Sequence, residues 1–177
     1  MVVIHNITQG TPEWHKLRDG LYTGSNADKL LRFGKIPYSQ SSDTGFKGNY
    51  YTKRGHLLED EAIKLYNEIR NVQGLRPGFV TNTRYRGCGY SPDDLLPDRT
   101  VEVKAFDKEM HLKMAKKPSF KILAQCHFGK VICGVKLTDL LFYNPDMEQV
   151  KDRLIIVSVK YNQAIMSNIR RIIKEQL

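Results

Sequence analysis

Residues 101 to 106, VEVKAF, constrain the fold of this chain most tightly. Val101, Val103 and Ala105 alternate with Glu102 and Lys104, the period of two of a half-buried β-strand. Glu102 and Lys104 then share one face, ~7 Å apart. Upstream, Ser91-Pro92-Asp93-Asp94 reads as a turn, and Asp93 can meet Glu102 without distorting the strand. The plain alternative is a solvated strand carrying an ordinary Glu–Lys surface pair.

The strongest helical signal covers residues 51 to 71, with Leu58, Ala62, Leu65 and Ile69 as its apolar stripe. Glu59 falls among Ala62, Ile63 and Tyr66, beside that stripe. A carboxylate on the core side of a helix is costly unless its charge is compensated. Thr11-Pro12 predicts a helix running to about Arg18, with Thr as cap and Pro in the first turn. A second helix is expected from about Ser25, and residues 33 to 49 read as a long surface loop. Strands are expected at 78–83, 101–106, 137–144 and 154–161, with a helix at 120–133 stopped by Gly134. A last helix places Ile165, Ile169 and Ile172/Ile173 on one face. This order suggests a mixed α/β sheet flanked by helices.

Two carboxylates brought together repel unless one protonates or a cation joins them. Asp93 and Glu102, with the Val103 carbonyl between the polar side chains, form an oxygen donor set that suits Mg²⁺ or Mn²⁺. Lys104 beside them could orient a nucleophile or stabilise developing negative charge. On a basic chain this chemistry fits metal-assisted hydrolysis of a phosphodiester. The formal charge is +9, from 28 Lys and Arg against 19 Asp and Glu, and such a surplus favours a polyanionic partner, nucleic acid before membrane. Between Lys104 and Lys136 stand eight lysines and two acids, so the excess gathers near the proposed site.

The 177 residues fit one domain, spanning residues 1 to 177. The apolar runs are too short to cross a bilayer, and the opening MVVIHNITQG predicts no secretory signal. Cys88, Cys126 and Cys133 form no CxxC pair, which argues for a reduced, cytoplasmic setting and against a disulfide framework. His111 and His127 have no ligand-like spacing and read as structural or surface residues.

Ser91-Pro92-Asp93 followed by Glu102-Val103-Lys104 resembles the PD-(D/E)XK nuclease signature. Within that superfamily the chain is similar to the lambda-exonuclease, or YqaJ-like, group of viral recombinases. Trp14-His15-Lys16-Leu17-Arg18 and Thr23-Gly24-Ser25 resemble that group's W-x-x-x-R and T-[AG]-S elements. Arg54-Gly55 with Glu59 resembles its R-G-x-x-x-E helix, and Gln125 its glutamine on the helix after the active-site strand.

The resemblance implies a restriction-endonuclease-like core with a mixed central sheet. It assigns Asp93, Glu102 and the Val103 carbonyl to metal, Glu59 to a second ion, Lys104 to the attacking water, and Gln125 to the support of Lys104 or the nucleophile. Arg18, Ser25 and Ser91 would cradle the 5′-phosphate of the digested strand, with Arg54 on the DNA. Each has a plainer role open to it: a helix cap for Ser25, a turn for Ser91, an ion pair for Arg18. Trp14 reads as a core anchor. The implied partners are double-stranded DNA and a single-strand annealing protein, and the implied assembly is a ring-shaped homotrimer. The short tail after the last helix and the loop at 33–49 depart from the larger lambda-type enzymes and put the ring in doubt. Three functions stay open: a 5′ exonuclease, an endonuclease that nicks or resolves branched DNA, and a catalytically silent DNA-binding or inhibitory protein.

Overall fold

The computed structural model describes residues 1–35 and 50–176, without the side chains of residues 50–54 and 56. The loop expected at 33–49 therefore lies largely outside the described residues, as does the Arg54 side chain. In chain order the elements are β1 (Val2–His5), α1 (Pro12–Arg18), β2 (Tyr22–Thr23), a 3-10 turn (Gly24–Asn26), α2 (Ala27–Phe33) and α3 (Tyr50–Arg70). There follow β3 (Phe79–Asn82), β4 (Cys88–Tyr90), β5 (Asp94–Leu95), β6 (Arg99–Lys104), α4 (Lys108–Lys116) and α5 (Phe120–Cys133). The chain continues with β7 (Leu137–Tyr143), a 3-10 turn (Val150–Asp152), β8 (Leu154–Val159) and α6 (Gln163–Gln176).

Among the described residues the strands form two four-stranded sheets, ordered β1-β3-β4-β2 and β5-β6-β7-β8, where sequence pattern suggests one. β6 and β7 are parallel, with α4 and α5 in the crossover, and β8 returns antiparallel to β7. The joint between the sheets is Ser91-Pro92-Asp93, between the end of β4 and the start of β5. Pro92 has no N–H to give to a ladder, so the chain can leave one sheet and enter the other there.

The helices divide the core as the strand alternation demands. Val101 and Val103 of β6 pack with Leu141 and Tyr143 of β7 against Ala62, Ile63 and Tyr66 of α3. The opposite face of the same sheet sets Leu140, Phe142 and Val159 against Ile122 and Cys126 of α5. α5 is buried on nearly every side, as a helix without a polar face must be. Ser119 caps its start, accepting from the Ile122 N–H at 3.4 Å, and Gly134 ends it with a φ of 72°. The α3 stripe differs from expectation at one end: Ile69 is 60% exposed, because the buried arc runs through Ala62, Ile63 and Tyr66 and the helix outlasts the sheet it covers. α6 buries Met166, Ile169, Ile172 and Ile173. All three cysteines are buried free thiols. Among the described residues no helix is long and apolar enough to cross a membrane.

Candidate active site

The polar face of β6 points inward. Glu102 is only 3% exposed, so the reading of a solvated surface pair does not hold. A buried carboxylate is costly unless it is paired and hydrogen-bonded, and this one is surrounded by donors. Lys104 Nζ donates to Glu102 Oε1 at 2.7 Å, Gln125 Nε2 of α5 donates to the same oxygen, and the Tyr90 hydroxyl donates to Oε2 at 2.5 Å. Burial alone would pull the Lys104 ammonium down, but the charges of Glu102 and Asp93 outweigh it and hold the group above its ordinary range. It stays a cation at neutral pH.

Asp93 comes in from the joint between the sheets. Its Oδ2 accepts the Val103 N–H at 2.6 Å, and its own N–H donates to the Val101 carbonyl at 3.2 Å. Burial first, then the negative charges of Glu102 and Glu59, push its carboxyl well above the usual carboxylate range, against the pull of Lys104 and the Val103 N–H. Glu59 reaches the same place from α3, with Oε1 3.1 Å from Arg76 Nη2. Glu59, Asp93, Glu102, Val103 and Lys104 line one cleft of about 200 Å³, with Gly55 and Ala105 completing the wall. Among the described residues no group of three His, Cys, Asp or Glu side chains is placed to hold a metal ion; the acids share a cleft while Asp93 and Glu102 engage donors of the protein.

A second polar cluster adjoins the joint. Ser91 Oγ donates to the Gly78 carbonyl at 2.9 Å and accepts from Arg18 Nη1 at 3.0 Å and Trp14 Nε1 at 3.2 Å. Arg18 Nη2 donates to Thr23 Oγ1 at 3.5 Å, and Thr23 Oγ1 lies 3.2 Å from Ser25 Oγ. Ser25 therefore joins Arg18 through Thr23, not directly, and it sits inside the 3-10 turn with no capping bond there or on α2. The Arg18 guanidinium lies 4.0 Å from the Trp14 ring centroid. Among the described residues it makes no ion pair with an acid, so neither the cap reading of Ser25 nor the ion-pair reading of Arg18 describes the fold. Trp14 is half-buried and serves as the platform under Arg18.

Sequence reasoning missed two residues and misplaced one. Tyr90, fully buried, carries no charge to announce it, yet its hydroxyl holds Glu102. A Cβ on Gly24 would come within 2.6 Å of Tyr90 Cε2, and one on Gly129 within 2.5 Å of Tyr90 Cζ. The two glycines thus leave room for the ring, one from the 3-10 turn and one from α5. Arg76, on the connection after α3, pairs with both Glu59 and Asp60. Lys130 is one of the eight lysines between Lys104 and Lys136 whose charge gathers near the site by sequence, but it is buried and donates to the Val159 and Lys160 carbonyls at 2.7 and 2.9 Å. His111 and His127 are buried and structural, His111 Nε2 lying 2.7 Å from the Asp152 carbonyl oxygen.

No protein-family profile matches the chain, and no curated protein sequence does. Solved structures do. The alkaline exonuclease LHK-Exo from Laribacter hongkongensis aligns over 93% of this chain and 90% of its own, with a TM-score of 0.78 at 19% identity. That protein is also known in complex with dAMP. A phage-related exonuclease from Haemophilus somnus 129PT aligns over 90% of this chain and 93% of its own, with a TM-score of 0.57 at 15% identity. Through two sheets joined at Ser91-Pro92-Asp93 and helices on both faces of the strand that carries Glu102 and Lys104, the chain has the α/β fold, of PD-(D/E)XK type, that these two exonucleases have.

Proposed function

We propose that this chain is a divalent-metal-dependent deoxyribonuclease that digests duplex DNA from a 5′ end. The observation that carries this reading is the meeting of Asp93, Glu102 and Lys104 in one cleft with Glu59. Glu59 stands 34 residues before Asp93 in sequence, and the four come from α3, the joint between the sheets and β6. The fold is that of proteins described as exonucleases, one of them known with a deoxynucleoside monophosphate.

The donors fit a hard divalent cation. Burial, then the charges of Glu102 and Glu59, raise the proton affinity of Asp93, and a cation placed there relieves that repulsion; oxygen ligands suit Mg²⁺ and Mn²⁺. Asp93, Glu102 and the Val103 carbonyl would hold one ion and Glu59 a second. When bound, such ions supply Lewis-acid stabilisation of charge on the phosphate. The chain's own residues do the rest. Gln125 and Tyr90 fix the Glu102 carboxylate, and Lys104 presents a cation where a nucleophile must be oriented and negative charge develops. Arg18, Ser91 and Ser25, linked by Thr23, offer a guanidinium and hydroxyls to a terminal 5′-phosphate. Viral recombination, with a single-strand annealing protein as partner and a homotrimeric assembly, is the setting that the resemblance adds.

The test is the purified chain with 5′-phosphorylated linear duplex and with covalently closed circular DNA, each with and without Mg²⁺. Loss of the linear DNA only with Mg²⁺, and intact circles, is the expected result. Cut circles would instead establish an endonuclease, and no cleavage of either DNA would defeat the reading.

A further inference from the structure

A concavity lies away from the acid cluster. About 850 Å³ in volume, it is bounded by the N-terminal end of β1, the turn after β3, the end of α5 and one side of α6. Four cationic side chains, Arg84, Lys136, Arg170 and Lys174, line it together with Tyr85 and Tyr161, and among the described residues no Asp or Glu lines it. Arg84, Lys136 and Lys174 are exposed, and among the described residues they make no ion pair. Four like charges around one hollow repel one another, a cost that an anion entering the groove would remove.

Among the described residues the groove and the acid cleft have no lining residue in common. α5 separates them: Gln125 touches Glu102 near its start, while Gly134 lines the groove just past its end. Nine residues at a rise of 1.5 Å place the two roughly 14 Å apart along that helix. Along α6 the lining runs from Gln163 through Arg170 to Lys174, a length on the order of 16 Å at the same rise. That length accommodates several phosphates of one strand. Tyr161 is 38% exposed, with the Arg170 guanidinium 6.0 Å from its ring centroid and donating to its hydroxyl at 3.2 Å. A trough of unpaired cations with an exposed aromatic ring is the combination that binds single strands without reading sequence, phosphates on the cations and a base on the ring.

We propose that this groove is a second nucleic-acid site, which holds a single strand of DNA by its phosphates on Arg84, Lys136 and Lys174 and stacks a base at Tyr161. The site stands on the groove itself; only its use rests on the nuclease reading, since digestion of one strand leaves the other single.

The experiment measures anisotropy of fluorescein-labelled dT20 with the whole chain in EDTA, over 50 to 200 mM salt. Wild type is compared with Arg84→Ser/Lys136→Ser/Lys174→Ser and with the charge-keeping Arg84→Lys/Lys136→Arg/Lys174→Arg. The serine variant is expected to bind at least about 10-fold more weakly, and its salt slope should fall by roughly 2, at about 0.7 per phosphate contact on a single strand. The charge-keeping variant should bind like wild type, which separates lost charge from lost folding. Tyr161→Leu should weaken binding with no change in slope. Equal dT20 binding by wild type and the serine variant would overturn the proposal, as would a groove that prefers labelled poly-glutamate to dT20, the mark of an acidic protein partner. Cleavage is a separate readout: a chain that cuts no DNA yet loses dT20 binding in the serine variant leaves this site standing and defeats only the nuclease reading.

Discussion

Tyr90 and Glu102 meet through one 2.5 Å hydrogen bond, in which a buried phenol donates to Glu102 Oε2. Tyr90 is followed directly by Ser91, which holds Arg18, and its ring touches the space left by Gly24 of the Thr23-Gly24-Ser25 turn. One side chain thus joins the Arg18 cluster to the acid cleft.

Tyr90→Phe keeps the ring and removes the hydroxyl. A hydrogen bond to a charged group contributes about 1.5–3 kcal/mol, so melting should show a loss of that order. Glu102 keeps Lys104 and Gln125 but loses the donor that fixes its second oxygen. The expected result is a kcat lower by roughly 10-fold or more with KM for DNA little changed, and steady-state kinetics on a linear duplex would measure both.

Gly129→Ala puts a methyl group where the Tyr90 ring stands, 2.5 Å from Cζ. Overpacking of this kind costs about 1–3 kcal/mol. Cleavage should fall with stability, because the ring can yield only by moving its hydroxyl off Glu102. Urea unfolding and a cleavage assay on the same preparation would show the two losses together.

Arg18→Ala removes the guanidinium from Ser91 and Thr23. Rates on 5′-phosphorylated ends should drop much further than rates on 5′-hydroxyl ends. An equal loss on both would make Arg18 a general scaffold of the Trp14–Ser91 corner.

His127 supplies a pH test apart from the cleft. Burial, then the nearby Lys130 charge, lowers its imidazole from 6.5 to about 4. Between those two values the unfolded chain binds the proton and the folded chain does not, so stability falls as pH drops through this window. The share of this one group is at most about 3 kcal/mol, at 1.36 kcal/mol per pH unit. The melting temperature of wild type should fall between pH 7 and 5 more steeply than that of His127→Gln.

The strand with Glu102 and Lys104, the α5 boundaries and the Glu59 face were legible because alternation, a serine cap and Gly134 are local signals. The split into two sheets was not. β2 and β5 have two residues each and β4 three, too short for any period to show, and what makes them strands is pairing with distant partners. Tyr90 was hidden for the same reason: its role lies in contacts with Gly24, Glu102 and Gly129, which no spacing brings together. Lys130 looked like its lysine neighbours because composition counts charge without its direction. Only the fold shows that its ammonium turns inward to the carbonyls at the end of β8.

The central claim is that Asp93, Glu102 and the Val103 carbonyl gather around a divalent cation. A crystal of the chain soaked in Mn²⁺ and measured at the manganese absorption edge tests this most directly. The account predicts an anomalous peak in the cleft among those three residues and its loss in Glu102→Gln. Strong peaks elsewhere with none in the cleft, or a cleft peak that persists in Glu102→Gln, would contradict it.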